Sequence, residues 1–143
     1  MSLSQVQYFK LMEKKYSIEE DIFNKLKDLQ DLKKKIAHQN KKRAKDQRER
    51  EEHLLKKDEY NADGIQDKAL KSEVAAKKKE AHIAEKDYKI RELERKIVKV
   101  EEEIDQLEIE LKEAESDINK HQSGAPLEPS EELEPSVFVD NEY

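Results

Sequence analysis

A chain of 143 residues has room for at most one ordinary domain, and here 45% of residues are charged and 34% hydrophobic, with two Gly, three Pro, no Trp and no Cys. Such apolar content cannot wrap a globular core, although it suffices for a narrow seam along a long helix; the absence of cysteine excludes a disulfide framework and thiol chemistry. The net charge of −6 conceals a polarity, because residues 1–64 carry 16 Lys/Arg against 13 Asp/Glu while residues 65–143 carry 13 against 22.

No apolar run approaches the ~18 residues of a membrane span. The N-terminus, MSLSQVQYFKLMEKKYSIEE, lacks the apolar block of a signal peptide. The expectation is a soluble intracellular protein, cytoplasmic or nuclear, of all-α class: long, elongated coiled-coil helices with a break at 61–64 and a disordered acidic C-terminal tail.

In chain order, residues 1–4 read as frayed and 5–60 as an N-terminal helix, first aromatic and apolar, then basic. With Ile22 at position a of a heptad, Tyr8, Leu29 and Ile36 share that position, and Leu11, Ile18 and Leu32 occupy d. Phe9, Tyr16 and Phe23 form a further stripe at spacing seven. The apolar arc is thus wider than a dimeric seam needs, and a helix with two apolar sides touches more than one neighbour. The set Phe9, Leu11, Tyr16, Ile18, Ile22, Phe23, Leu29, Leu32 and Ile36 is a candidate second interface.

From Ala37 to Tyr60 the apolar seam decays into Gln39, Arg43 and Arg50, while helix propensity stays high. Between Lys33 and Lys57 stand eleven bases and four acids. Asn40 and Arg48, with Ala44 between them, resemble the basic region of bZIP transcription factors. That resemblance implies a helix in the major groove with a zipper directly C-terminal to it. It is confined to residues 40–48. Lys57, Asn61 and Lys68 stand where zipper leucines are expected, and Asp46, Glu49, Glu51 and Glu52 would face phosphates. Nucleic acid is therefore the lesser expectation, with Lys41, Lys42 and Arg43 the residues for DNA contact or for a nuclear-import signal.

Asn61-Ala62-Asp63-Gly64 is the internal break. Asn61 and Gly64 suit left-handed angles at a helix end, and Asp63 followed by Gln66 resembles a capping box for a second helix. Residues 65–122 then form the heptad segment. Ile83, Ile90, Ile97, Ile104, Leu111 and Ile118 fall at a, and Leu93, Val100, Leu107, Ala114 and His121 at d. β-Branched residues at a with Leu at d favour parallel two-stranded packing. The flanks complicate a homodimer: Lys89 would meet Glu94 and Lys96 would meet Glu101, but Glu103 would meet Glu108 and Glu110 would meet Glu115. Nine acids and one base between Glu101 and Asp117 call for a helical partner with basic flanks. The rival architecture is an antiparallel hairpin about Gly64, which opposes Ile36 to Leu93, Leu29 to Val100 and Ile22 to Leu107.

Gln122-Ser123-Gly124-Ala125-Pro126 ends the helix. Residues 123–143 are acidic and Pro-containing, and read as a disordered tail in which Val137, Phe138 and Val139 form a candidate docking peptide. No catalytic residue, metal site or cofactor is expected, because the four histidines are scattered and no phosphate loop or shielded carboxylate pair is present. The functional expectation is a non-enzymatic coiled-coil scaffold or adaptor. It would dimerise or co-assemble with helical proteins through Ile83, Ile90, Leu93, Ile97, Val100, Ile104, Leu107, Leu111 and Ile118. The alternatives are a chromatin-associated coiled coil and an autoinhibited hairpin regulator.

Overall fold

A computed structural model describes residues 2–124. It is all-helical: α1 spans Leu3–Ala62 and α2 spans Gln66–Gln122. Neither helix contains Gly or Pro within its bounds, which removes the two residue types that most readily interrupt a helix. Among the described residues no helix is long and apolar enough to cross a membrane. The tail with Val137, Phe138 and Val139 lies outside the described residues.

The start of α1 is capped, not frayed. Ser2 Oγ accepts from the Gln5 backbone N–H at 3.1 Å, and Gln5 Oε1 accepts from the Ser2 N–H at 2.9 Å. This reciprocal pair satisfies two donors that a helix end would otherwise leave bare. Ser4, inside the first turn, is buried.

Between the helices the chain turns through Asp63, Gly64 and Ile65. Gly64 has φ 74°. Its N–H donates to Asn61 O at 3.2 Å, and the Ile65 N–H donates back to Tyr60 O at 2.8 Å. These are the two bonds of a Schellman ending, with Gly64 in the left-handed position. The Ile65 carbonyl accepts from the Ala69 N–H at 3.1 Å, so Ile65 is the N-cap of α2. Asp63 therefore belongs to the end of α1, and the capping box expected of Asp63 and Gln66 does not form.

The chain divides into two compact units, Met1–Asp28 with Val100–Tyr143, and Leu29–Lys99. In the first unit, Leu11 and Ile118 form a buried cluster with Tyr8 and Met12 packed against it. The helical segments run antiparallel, with facing residue numbers that add to about 129, as for 11 with 118. In the second unit Arg43 pairs with Asp87, Arg50 with Glu80 and Lys57 with Glu73, and each of these pairs adds to 130. This is the register of the hairpin alternative, and α1 supplies the helix opposite α2 in each unit.

Candidate interaction surfaces

Seam positions repeat every seven residues. In the first unit Ser4, Leu11 and Ile18 are buried on α1, and Tyr8 and Ile22 are half-buried. From α2, Ile104, Ala114, Ile118 and His121 are buried, and Val100, Leu107 and Leu111 are half-buried. His121 closes this seam, with Nε2 donating to Ser4 O at 2.9 Å and its ring stacked on Tyr8. The acidic run 101–117 calls for basic flanks on the helix opposite it. Lys25 of α1 holds Glu103, and this partner raises the Lys25 pKa.

In the second unit the seam does not decay; it changes chemistry. Leu29, Leu32 and Ile36 are half-buried, and Gln39, Arg43, Asp46, Arg50, His53, Lys57 and Tyr60 continue the same two heptad positions inward. Opposite them Ile83, Ile90, Leu93 and Ile97 are half-buried, and Ala69, Ser72 and Ala76 are buried. Asp46 lies at the centre of the polar part. Lys86 Nζ is 3.2 Å from its Oδ2 and Lys79 Nζ is 3.9 Å from its Oδ1. Asp46 Oδ2 has no well-directed hydrogen bond, so the contact with Lys86 is one of charge more than of direction. Lys79 also reaches Glu49 at 2.5 Å. Their hydrogen bond lowers the Glu49 pKa and raises that of Lys79.

The nine residues of the candidate second interface separate into two sets. Leu11, Ile18, Ile22, Leu29, Leu32 and Ile36 lie on the seam, whereas Phe9, Tyr16 and Phe23 are 51%, 57% and 57% exposed. Leu26 extends this outer stripe at 48% exposure. Lys27 sits over the Phe23 ring at 4.8 Å and Lys15 near the Tyr16 ring at 5.9 Å, so the stripe carries cationic edges. Val98 and Ile109 on α2 are also exposed.

Of the three candidate nucleic-acid or import residues, Lys41 and Lys42 are exposed, and Arg43 is engaged by Asp87. The unit that contains them is nevertheless basic. Residues 29–99 hold 22 Lys/Arg and 15 Asp/Glu, a balance of +7, while the described part of the other unit holds 7 and 14, a balance of −7. The basic unit has an open groove whose rim includes Lys34, Lys35 and Lys96, with Tyr88 and Leu93 between them. Among the described residues these three lysines have no ion pair; Lys89, also at the rim, is held by Glu85 at 3.1 Å, and this lowers the Glu85 pKa.

Sequence reasoning missed the capping pair Ser2/Gln5 and the polar seam about Asp46. The first was legible as Ser-x-x-Gln. The second was legible as charged residues that keep the heptad phase of Ile22 and Leu32. Among the described residues no group of three His, Asp or Glu side chains is placed to hold a metal. No family model, curated protein or solved structure matches the chain.

Proposed function

We propose that this protein is a non-enzymatic coiled-coil adaptor that holds a helix of another protein against the outer stripe of α1. One observation carries the reading: Phe9, Tyr16, Phe23 and Leu26 are about half exposed or more, while the seam residues beside them, Leu11 and Ile18, are buried. The heptad seam is occupied by the chain's own two helices. Among the described residues the stripe at spacing seven has no occupant, and its dimensions suit an amphipathic helix presenting apolar residues at i, i+3 and i+7. Isolated exposed apolar residues are ordinary on a surface. Three aromatics in one heptad phase, with Leu26 one turn on from Phe23, form a contiguous patch, and such patches mark binding sites.

The proposed mechanism is burial of aromatic area against a partner helix, with Lys27, which lies over the Phe23 ring, available to acids flanking the partner's seam. A photo-cross-linking amino acid at Tyr16 tests it in living cells, with Glu59, exposed in the other unit, as the control position. The expected adducts form at Tyr16, map to a heptad-patterned helix of the partner, and vanish on Phe9→Ser with Phe23→Ser. Equal adduct yields from Tyr16 and Glu59 would sink the proposal.

The regulator reading has one feature in its favour. The polar seam about Asp46, Lys79 and Lys86 binds its two helices through charge, and charge pairs weaken with salt or on engagement by a competitor more than apolar seams do.

A further inference from the structure

We propose that the basic groove of the Leu29–Lys99 unit is a docking site for the acidic tail of a second copy of this chain. The tail, residues 125–143, holds six acids and no base, and Val137-Phe138-Val139 is set among those acids. No other stretch of the sequence combines that purity of charge with an apolar triplet. The groove is the complement in both respects, its one acid, Glu92, being paired with Arg95. Its lysines at 34, 35 and 96 are exposed and without ion pairs among the described residues, and between them stand Tyr88, 60% exposed, and half-buried Leu93. Phe138 is the side chain for that apolar floor, and the flanking Glu131, Glu132, Glu134, Asp140 and Glu142 are the partners for the lysines.

A polar detail fits the same occupant. Gln39 Oε1, at the groove, is buried and has no hydrogen-bond partner among the described residues. A buried amide oxygen without a donor is costly. A peptide strand brings backbone N–H donors as well as carboxylates, so it can satisfy Gln39 while its acids meet the lysines. Nucleic acid offers the negative charge but not the apolar triplet, and the flexible, salt-sensitive pairing of a peptide with one aromatic anchor suits a shallow groove better.

The charge of the units points to a second copy as the source. One unit is +7 and the described part of the other is −7, with the tail adding six acids to the acidic side. Two copies that exchange tails make the same contact twice and close the assembly, which doubles the contact without any new surface. The contact is independent of the outer stripe on α1, so either proposal stands if the other fails.

The test uses the full chain. Equal amounts of natural-isotope and nitrogen-15 protein are mixed and joined with a zero-length carbodiimide, which links a lysine to a carboxylate only where they touch. The expected result is mixed-isotope links from Lys34, Lys35 or Lys96 to the tail acids. At about 0.5 M salt, where the screening length falls to roughly 4 Å, they decline at least about fivefold. Phe138→Ala weakens them as well. The triple reversal Lys34→Glu, Lys35→Glu, Lys96→Glu changes exposed positions only, and circular dichroism checks that its helices persist. It abolishes association between its own copies, read by sedimentation because no amine is left to link at those positions, and two copies that each also carry Glu131→Lys, Glu132→Lys and Glu134→Lys, a charge-exchanged pair, associate again. Tail links found only between peptides of the same isotope would overturn the proposal by placing the tail on its own chain. Tail links spread evenly to Lys10 and Lys112, or failure of the charge-exchanged pair to associate, would overturn it too.

Discussion

Leu11→Ala and Phe9→Ala stand two residues apart on one helix, and the structure assigns them opposite consequences. Leu11 is fully buried against Ile118, Tyr8 and Met12. Truncation to Ala removes about three methylene equivalents, worth ~0.8 kcal/mol each, or ~2.4 kcal/mol of transfer free energy. A cavity contribution is added in deep cores, but two helical segments without a third layer can close over the gap, so it is small here. Ala is the better helix former by a few tenths of a kcal/mol. The expected net loss is about 2 kcal/mol. Phe9 is the larger side chain and is half exposed. Its truncation forfeits about 1 kcal/mol of partial burial, and the helix-propensity gain of ~0.5 kcal/mol offsets half of that. Urea unfolding followed by circular dichroism at a protein concentration low enough to exclude association reads both values, and amide exchange assigns the loss to residues 3–28 and 100–122. A Phe9→Ala cost equal to or above that of Leu11→Ala would refute the burial argument, because the outer stripe would then be filled in the protein alone.

Gly64→Ala places a side chain at φ 74° where a Cβ meets nothing within 4 Å, so the cost is backbone strain alone: about 1 kcal/mol by urea unfolding, and less for Gly64→Asn. Ser2→Ala breaks the reciprocal cap with Gln5 and costs about 1 kcal/mol, read as faster amide exchange confined to the first turn of α1. The Glu49–Lys79 pair gives a pH dependence with a definite sign. The Glu49 carboxyl is lowered, so its contribution is present above the ordinary carboxylate range and fades as pH falls through the folded value. Lys79 is raised, so its contribution is present below the ordinary lysine pKa and fades as pH rises through the folded value. Glu49→Gln should flatten the acid limb of stability against pH, and an unchanged acid limb would count against the pair.

Apolar periodicity made the strongest elements legible. Ile104 and Ile118 at a, and Leu11 and Ile18 at d, are buried in the structure, because a period of seven places them on one face whatever the partner. What periodicity leaves open is the identity of the partner: Glu103 asks for a base, and the sequence offers many. The antiparallel register selects Lys25. The same limit explains the segment from Ala37 to Tyr60. A count of apolar residues sees a seam end at Ile36, although Gln39, Arg43, Asp46 and Arg50 hold its phase. Their place becomes evident only when Lys79, Glu80, Lys86 and Asp87 are set opposite, since a charged heptad position is a solvated face until its counter-charge is known. Gly64 was legible as a break, because left-handed backbone is what glycine tolerates.

The charge of the chain shows how far pairing can redistribute what the linear order displays. Read in order, residues 1–64 are mildly basic and 65–143 strongly acidic, by 16 bases to 13 acids and 13 to 22. Antiparallel pairing regroups them. The acidic run after Val100 packs on residues 2–28, where five bases meet five acids, so most of its charge goes uncompensated. The segments 29–62 and 66–99 each bring eleven bases and seven acids, so the second unit keeps an excess of cations even after its seam pairs form. A net charge of −6 is therefore a poor guide to what either surface attracts. At physiological salt, fields fall off within about 8 Å, and a partner feels the unit it touches and not the chain. The outer aromatic stripe lies on the acidic unit, with Lys15 and Lys27 beside its rings, and the lysine groove lies on the basic one. Under the two proposals, aromatic burial selects the helix held at the stripe, and charge with one aromatic anchor selects the tail held at the groove.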